Sequence, residues 1–600
     1  MMAERSASGA LWETVPADPR IAMGIVEETG MPIALALVLA GRGITRENIR
    51  SWLDPKIRDL MPDPSEFSGM DAMVDRLATA VRAKEKIGIF GDYDVDGASS
   101  AALLALIFRA LGLEASIHIP DRFAEGYGPN LPALLELKKQ GCGLIITVDC
   151  GITAHGPIAA AGEAGIDVLV IDHHIAGPEL PAALSVVNPN RLEDSGAYGY
   201  LCAAGVAFMV MAGLLRRLRQ DGEFTKDRPE PALMNCLDLV ALATIADVVP
   251  LKGLNRAFVR AGLKVMAKRE RPGLVALADM ARMDGPPDTY ALGFILGPRI
   301  NAGGRIGDSS LGVSLLTTNS DDEAQITAQQ LDTLNERRRE IEKDVTAAAA
   351  AMLENQKDNV FLLAHGEGWN QGVVGISAGR IREMFGRPAA VVSVTTGADG
   401  RRIGKASARS MAPFRLGAAI MAASQKGLLI AGGGHDMAAG FTLDMEMLEP
   451  FAQFMAQRAK ADFGAGGPVI SHSIDAPIGA GHCSLELLDW LDQSGPFGSG
   501  FPEPRFCLDQ VMIESFRTMG QDKSHLAMRL KDATGQVDAV AFRVAGTPLA
   551  AALGAATDGR PLQVLGRVSR SRYQGQVKVQ FIIEDVRDHQ VKRVAGSNLE

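Results

Sequence analysis

From about residue 70 onward, short apolar runs alternate with stretches whose hydrophobic positions recur at helical spacing. IGIF (87–90) precedes the Ala/Leu-rich AALLALIFRALG; ASIHIP, GLIITV and IDVLVI follow, each separated from the next by a helical pattern. Apolar runs too short for helices and without polar alternation predict strands buried on both faces, hence a parallel α/β sheet. The pattern continues through AAGVAFMVMAGLLRRLRQ and MNCLDLVALATIADVVPL to about residue 250, with the polar DGEFTKDRPEP between them as an exposed loop. Residues 320–355 run without Pro or Gly behind a Ser320-x-x-Glu323 capping box, which predicts one long helix whose charged surface suits a connector. A second α/β pattern runs from FLLAHG through PAAVVSV to the glycine-rich AGGGHDMAAG. After FGAGGP the period falls to two in AMRLK, VDAVAFRV, LQVLGRV and VKVQFIIEDV, as expected of a small β-barrel. Residues 1–70 are helical and Pro-punctuated. Within them MPIALALVLA (31–40) is too short to span a bilayer and reads as a core helix.

Six hundred residues exceed what one core accommodates, and 47% hydrophobic content is ample for several globular domains. A net charge of -10 gives no overall attraction to a polyanion, so any such partner must meet a local basic patch. The six cysteines lie scattered with no C-x-x-C pair, which argues against a disulfide framework and a thiolate zinc site and fits reduced thiols in the cytoplasm. No membrane partner is expected, and a monomer fits a chain whose connector already joins two domains.

Candidate chemistry begins with DYDVDG, where Asp92, Asp94 and Asp96 alternate behind the first apolar run. A calcium loop would need Glu at its twelfth position, which here is Leu103, and a helix before it, which here is IGIF. An Asp-rich surface turn is the plain alternative. Recurrence decides against it: Asp149 ends GLIITV, and Asp172, His173 and His174 end IDVLVI. In a parallel sheet these strand ends converge on one edge, where such folds bind ligands. Five Asp and two His in one crevice repel one another unless cations hold them. Oxygen donors with imidazole suit manganese or magnesium, and two ions about 3.5–4 Å apart form the clamp used in phosphate-ester hydrolysis.

DYDVDG, TVDCG, DHH, CAAGVAF and ATIADVVPL, in that order, resemble the DHH phosphoesterase superfamily, and RIGKASARS with GGGHDMAAG resembles its associated C-terminal domain. IPDRFAEGYG, GPRINAGGR and GPFGSGFPEP extend the likeness from about residue 60 to near the end, toward the bacterial single-strand-specific exonucleases of that superfamily. The pattern along the chain, with the resemblance, places a helical segment at 1–70, a parallel-sheet DHH catalytic domain at 71–255, a helical connector at 256–355, a DHH-associated α/β domain at 356–462 and an OB-fold at 469–592. The resemblance implies that Asp94, Asp96, Asp149, His173 and Asp247 ligate two Mn2+ or Mg2+ ions. Asp92 and Asp172 then orient the motif and a neighbouring imidazole, and His174 donates to the scissile phosphate.

No Asp or Glu occurs from Arg401 to His435, whereas Arg401, Arg402, Lys405, Arg409, Arg415 and Lys426 are basic. Ser407 and Arg409 offer a hydroxyl and a planar fork suited to a terminal phosphate. Gly432, Gly433 and Gly434 allow close backbone approach, and His435 adds a donor. The resemblance assigns this end to a 5′ phosphate, with Arg122 contributing. In the barrel, Arg560, Arg567, Arg570, Arg572 and Lys578 surround Tyr573 with no acidic residue between 560 and 583, a pattern fitting a strand-tracking OB-fold. The expected activity is degradation of single-stranded DNA from the 5′ end to mononucleotides in repair and recombination, alongside a single-strand-binding protein and a helicase. The rivals are a DHH phosphodiesterase for short oligonucleotides or cyclic dinucleotides, and an inactive single-strand-binding scaffold; intact residues at every matched position argue against the latter.

Overall fold

The structure, a computed structural model, describes residues 5–588 except 398, 465–466, 522 and 574–575. It divides into two compact units, one comprising Lys56–Pro468 with Gly498–Phe501, the other Met1–Pro55, Val469–Phe497 and Pro502–Glu600.

In the larger unit the strands Ala115–His118, Ile87–Gly91, Leu144–Val148, Asp167–Ile171 and Ser185–Val187 lie side by side in that order, all parallel. Successive residues face opposite ways, so Ile87, Ile89, Ile146 and Leu169 enter one core while Phe90, Ile145, Val168 and Val170 enter another. Burial of both faces accounts for the unbroken apolar runs. The first core does not stop at the sheet's own helices. Phe258, Leu277, Ile300 and Leu316 join it, so the helices from Gly253 to Thr317 belong to this body, and the connector expected at 256–355 contracts to the helix Asp321–Leu353. Their apolar faces are covered by the helices on the first sheet, which the sequence alone does not bring into view.

That helix buries Ala324, Ala328 and Leu331 in the first core and Val345, Ala349 and Leu353 beneath the second sheet. Its cap differs from the expected box: Ser320 Oγ accepts from the Glu323 N–H, but the Glu323 carboxylate takes the Thr318 hydroxyl at 2.7 Å, and Thr318 Oγ1 in turn accepts the Ser320 N–H. The second sheet is mixed, in the order Ala431–Gly434, Ala438–Asp444, Arg402–Arg409, Ala389–Thr396 and Leu362–Glu367, with only the last pair parallel.

In the smaller unit Phe506–Met519, His525–Asp532, Gly535–Ala541, Gln576–Asp588 and Leu562–Tyr573 close into a barrel through pairing of the first and last of these. The N-terminal segment expected at 1–70 divides, with residues to Pro55 on this unit: Leu11–Thr14 pairs in parallel with Ser471–Ile474, and Trp12 Nε1 donates to Asp585 at 3.0 Å. All six cysteines are free and buried. Among the described residues no helix is long and apolar enough to cross a membrane.

Candidate metal centre and nucleic-acid cleft

Gly91, Val148 and Ile171 are register partners across the first sheet, so Asp92, Asp149 and Asp172, one residue further on, share its carboxyl edge. Asp94 caps the helix Val95–Ala110, its Oδ1 accepting the Asp96 and Gly97 N–H groups at 2.9 and 3.1 Å. A Cβ on Gly97 would stand 2.4 Å from the Asp92 carbonyl oxygen, so glycine lets the helix start this close to the strand. Asp96 is buried at the start of another helix, Ala203–Gln220, its two oxygens accepting the Ala203 and Ala204 N–H groups at 2.7 and 2.8 Å. Asp149 holds a left-handed backbone at φ 61, a conformation Asp tolerates better than most residues. Asp247 caps the end of the helix Leu237–Ala246.

These elements converge on His173. Its Nε2 lies 3.3 Å from Asp149, 3.7 Å from Asp247 and 3.8 Å from Asp96, while Nδ1 faces the Leu201 carbonyl at 3.1 Å. Such a backbone contact fixes which ring nitrogen carries the proton and leaves Nε2 for a cation. Three overlapping sets can each surround an ion: Asp92, Asp94 and Asp149; Asp96, His173 and Asp247; and Asp149, His173 and His174. Among the described residues, buried Asp92 Oδ1 and Asp247 Oδ2 find no hydrogen-bond partner, as expected of oxygens built for a cation. The donors fit two hard divalent ions.

Burial, then neighbouring carboxylates, pushes the Asp149 and Asp92 carboxyls well above the usual range and Asp247 up to about 9; burial also raises Asp96. Asp172 behaves oppositely. Burial opposes its ionisation, but His174 and the backbone N–H groups of Ile152, His173 and His174 hold it below the ordinary value. His174 Nδ1 sits 2.7 Å from Asp172 Oδ1. Against the opposing effect of burial, Asp172 lifts this imidazole to about 9 and leaves Nε2 as the free face. Tyr127, whose motif IPDRFAEGYG gives it no evident role in sequence, brings its Oη to 3.5 Å from that Nε2.

Across from the metal edge, a cleft of about 730 Å³ is lined by Tyr93, Arg122 and Tyr127 on one side and Lys405, Ser407 and Gly433 on the other. The Arg122 guanidinium lies 4.7 Å above the Tyr93 ring. Ser407 Oγ and Arg409 Nη2 both come within 3.3 Å of where a Cβ on Gly375 would stand, beside the start of the helix Val374–Phe385. Among the described residues no carboxylate pairs with Arg409, and burial with nearby Arg382 lowers its pKa. A half-buried cation without a counter-ion at a helix N-terminus is suited to an anion. Arg305, also passed over in its motif, donates to the Gly372 carbonyl at 3.1 Å, and burial with Arg122 and Arg338 depresses it to about 10.

Two basic stretches require correction. Arg402 pairs with Glu367 and Arg415 with Asp436, leaving Lys405 and Arg409 as the cations of the first that face the cleft region without acidic partners. His435 does not line the cleft; it sits in the exposed turn after Ala431–Gly434, its N–H on Ala438. In the barrel Arg570 bonds Asp489 and Asp492, Arg567 is held by Glu503 and Glu584, and Arg560 by Asp558. The acid-free stretch meets acids just beyond its ends, Asp558 and Glu584, and others from far along the chain, Asp489, Asp492 and Glu503. The side chains of Arg572 and Tyr573 lie outside the described residues.

Residues 86–244 match the DHH family N-terminal domain, 355–461 the DHHA1 domain and 474–585 the RecJ OB domain. Similar curated proteins are the single-stranded-DNA-specific exonucleases RecJ of Salmonella typhimurium, 36% identical over 93% of this chain and 96% of its own length, and of Escherichia coli, 34% identical over the same shares. The crystal structure of RecJ from Thermus thermophilus in complex with Mn2+ superposes with a TM-score of 0.79 at 29% identity, covering 97% of this chain and 79% of that one. A corresponding Mg2+ complex gives 0.72 at 27% identity over 97% and 78%. With 36% identity spanning nearly the whole of both chains, the protein belongs to the RecJ family of single-stranded-DNA-specific exonucleases.

Proposed function

We propose that the protein is a metal-dependent exonuclease that degrades single-stranded DNA from its 5′ end to mononucleotides, in DNA repair and recombination. The observation that carries the reading is a cleft that joins the two: Tyr93, between Asp92 and Asp94, and Tyr127, beside His174, line it together with Ser407, whose hydroxyl lies with Arg409 at a helix start. A pocket for a terminal phosphate next to the hydrolytic centre sets the end from which cleavage begins.

Asp94, Asp96, Asp149, His173 and Asp247 hold two Mn2+ or Mg2+ ions. When bound, such ions acidify a water and neutralise charge on the phosphoryl oxygens. Asp92, expected to orient the motif, instead turns a buried, unpartnered oxygen toward the same ions, and Asp172 keeps a proton on His174 Nδ1 and orients Nε2 toward the scissile phosphate, with Tyr127 beside it. Ser407, Arg409 and Arg122 receive the 5′ phosphate, and Gly433 lets the backbone approach it. The barrel gives additional hold on the strand. The protein works as a cytoplasmic monomer on single strands that a helicase exposes and a single-strand-binding protein covers, since it consumes what unwinding supplies.

Single strands labelled at either end and incubated with manganese test this. Mononucleotides released from the 5′ end alone are expected; release from the 3′ end, or internal cuts, would refute the polarity.

A further inference from the structure

We propose that Tyr290 and Phe294 form a stacking platform for a base of the single strand several nucleotides downstream of the scissile bond. This rests on the reading above that the 5′ end lies in the Ser407–Arg409 pocket. The two rings stack on each other, centroids 5.1 Å apart and planes at 23°, yet remain 63% and 71% exposed. Two large aromatic faces left in water, while Leu292 and Leu296 of the same turn are buried, are available to a flat apolar partner.

The backbone beneath them is specialised. Ala291–Leu296 forms a π-helical turn, a geometry found mostly as short insertions at functional sites. It is held firmly. Asp288 accepts the Ala291 N–H at 2.7 Å; Arg299 donates to the Ile295 carbonyl at 2.8 Å and is itself held by Asp332 of the long helix at 2.8 Å. Aromatic side chains, with two rotatable bonds each, on a backbone held in this way have little freedom to lose on binding a base.

Position identifies the occupant. A Cβ on Gly293 would lie 3.2 Å from Ile245 Cγ2, and one on Gly297 3.5 Å from the Ala246 Cβ, so this turn packs on the residues immediately before Asp247. The helix Gly297–Ile306 then leads from this turn to the loop between Asp92 and Asp94, where Gly304 meets the Tyr93 carbonyl and Arg305 meets Gly372. Tyr93 lines the cleft that holds Ser407. The rings therefore sit at the Asp247 end of this helix and the pocket at its Tyr93 end. From Gly304 to Phe294 is roughly 15 Å at about 1.5 Å per residue, a span of several nucleotides of single strand. A strand entering the pocket 5′ end first and crossing the metals emerges on the Tyr290 side.

The test compares wild type with the Tyr290→Ala/Phe294→Ala protein on 5′-phosphorylated strands from two to twelve nucleotides. The variant is expected to match wild type on dinucleotides, which also reports an intact centre, and to lose about five- to hundredfold in kcat/KM on strands longer than about six. Wild type should suffer a similar loss on a twelve-nucleotide strand lacking one base near the fourth to sixth position, and the variant no further loss there. Tyr290→Phe/Phe294→Tyr should restore the rate. Equal loss on dinucleotides and long strands, undiminished activity on long strands, or an abasic penalty as large in the variant as in wild type would each overturn the platform. Release from the 3′ end of the same labelled strands would instead overturn the underlying polarity.

Discussion

Replacing Asp247 by Asn should stabilise the protein in chelator and deprive it of stabilisation by manganese. The Asp247 carboxyl is pushed up to about 9, first by burial and then by Asp96 and Asp94, and its side chain is only 25% exposed. In an unfolded chain an Asp titrates near 3.9. Between about pH 4 and 9 the native state therefore holds a proton that the unfolded state has released, and stability falls as pH rises through that window. At pH 7 the interval is about three units at about 1.4 kcal/mol each, so the burden is on the order of 4 kcal/mol. Asn, uncharged and of similar shape, avoids it. Manganese reverses the ranking, because an ion at a hundredfold excess over its Kd stabilises by about 2.7 kcal/mol and the variant lacks one ligand for it. Thermal melts of both proteins in EDTA and in Mn2+, at pH 5.5 and 8, measure this. The expected result is a variant more stable than wild type in EDTA, by a margin larger at pH 8, with a smaller manganese shift. A variant less stable than wild type in EDTA at pH 8, or one that gains as much from manganese, would refute the assignment of Asp247 to the cluster.

Asp94→Ala and Asp149→Ala should each abolish hydrolysis while strand binding, measured by fluorescence anisotropy, stays nearly intact, because the contacts to the phosphate backbone are elsewhere. Arg409→Ala should remove the advantage of a 5′-phosphorylated over a 5′-hydroxyl strand in kcat/KM; equal slowing of both would make Arg409 a general backbone contact. Arg570→Ala should change single-strand affinity and its salt slope very little, since two aspartates already occupy the guanidinium; a slope shallower by about one unit would mean that DNA displaces them.

The strands of the first sheet were legible because burial on both faces leaves an unbroken apolar signature, and the metal edge was legible because Asp92, Asp149 and Asp172 each follow such a run. What could not be read was pairing at long range. Arg570 meets Asp489 and Asp492, and Arg567 meets Glu503, across separations that no local window spans. The helices from Gly253 to Thr317 looked like connector for the same reason, their apolar faces having no visible partner until the sheet was in place. Tyr290 and Phe294 give no sequence signal at all: i, i+4 aromatics are ordinary in a helix, and only the π turn and their exposure set them apart.

The repulsive cluster also explains the architecture around it. Carboxylates crowded at one edge would keep their protons and bind cations poorly unless something favoured ionisation before an ion arrived. Backbone N–H groups supply that at Asp172, from Ile152 and the DHH backbone, and at Asp96 the start of Ala203–Gln220 works against the effect of burial. Each contact is a hydrogen bond from a fixed dipole, unlike a side-chain cation, which would compete with metal for the same oxygens. Asp149 and Asp247 have less of this support, and they are among the carboxyls held well above the ordinary range. The centre is thus graded, with some carboxylates eased into ionisation by the fold and others left to be ionised by the ion itself. Metal affinity should accordingly rise with pH across the range in which Asp149 and Asp247 surrender their protons.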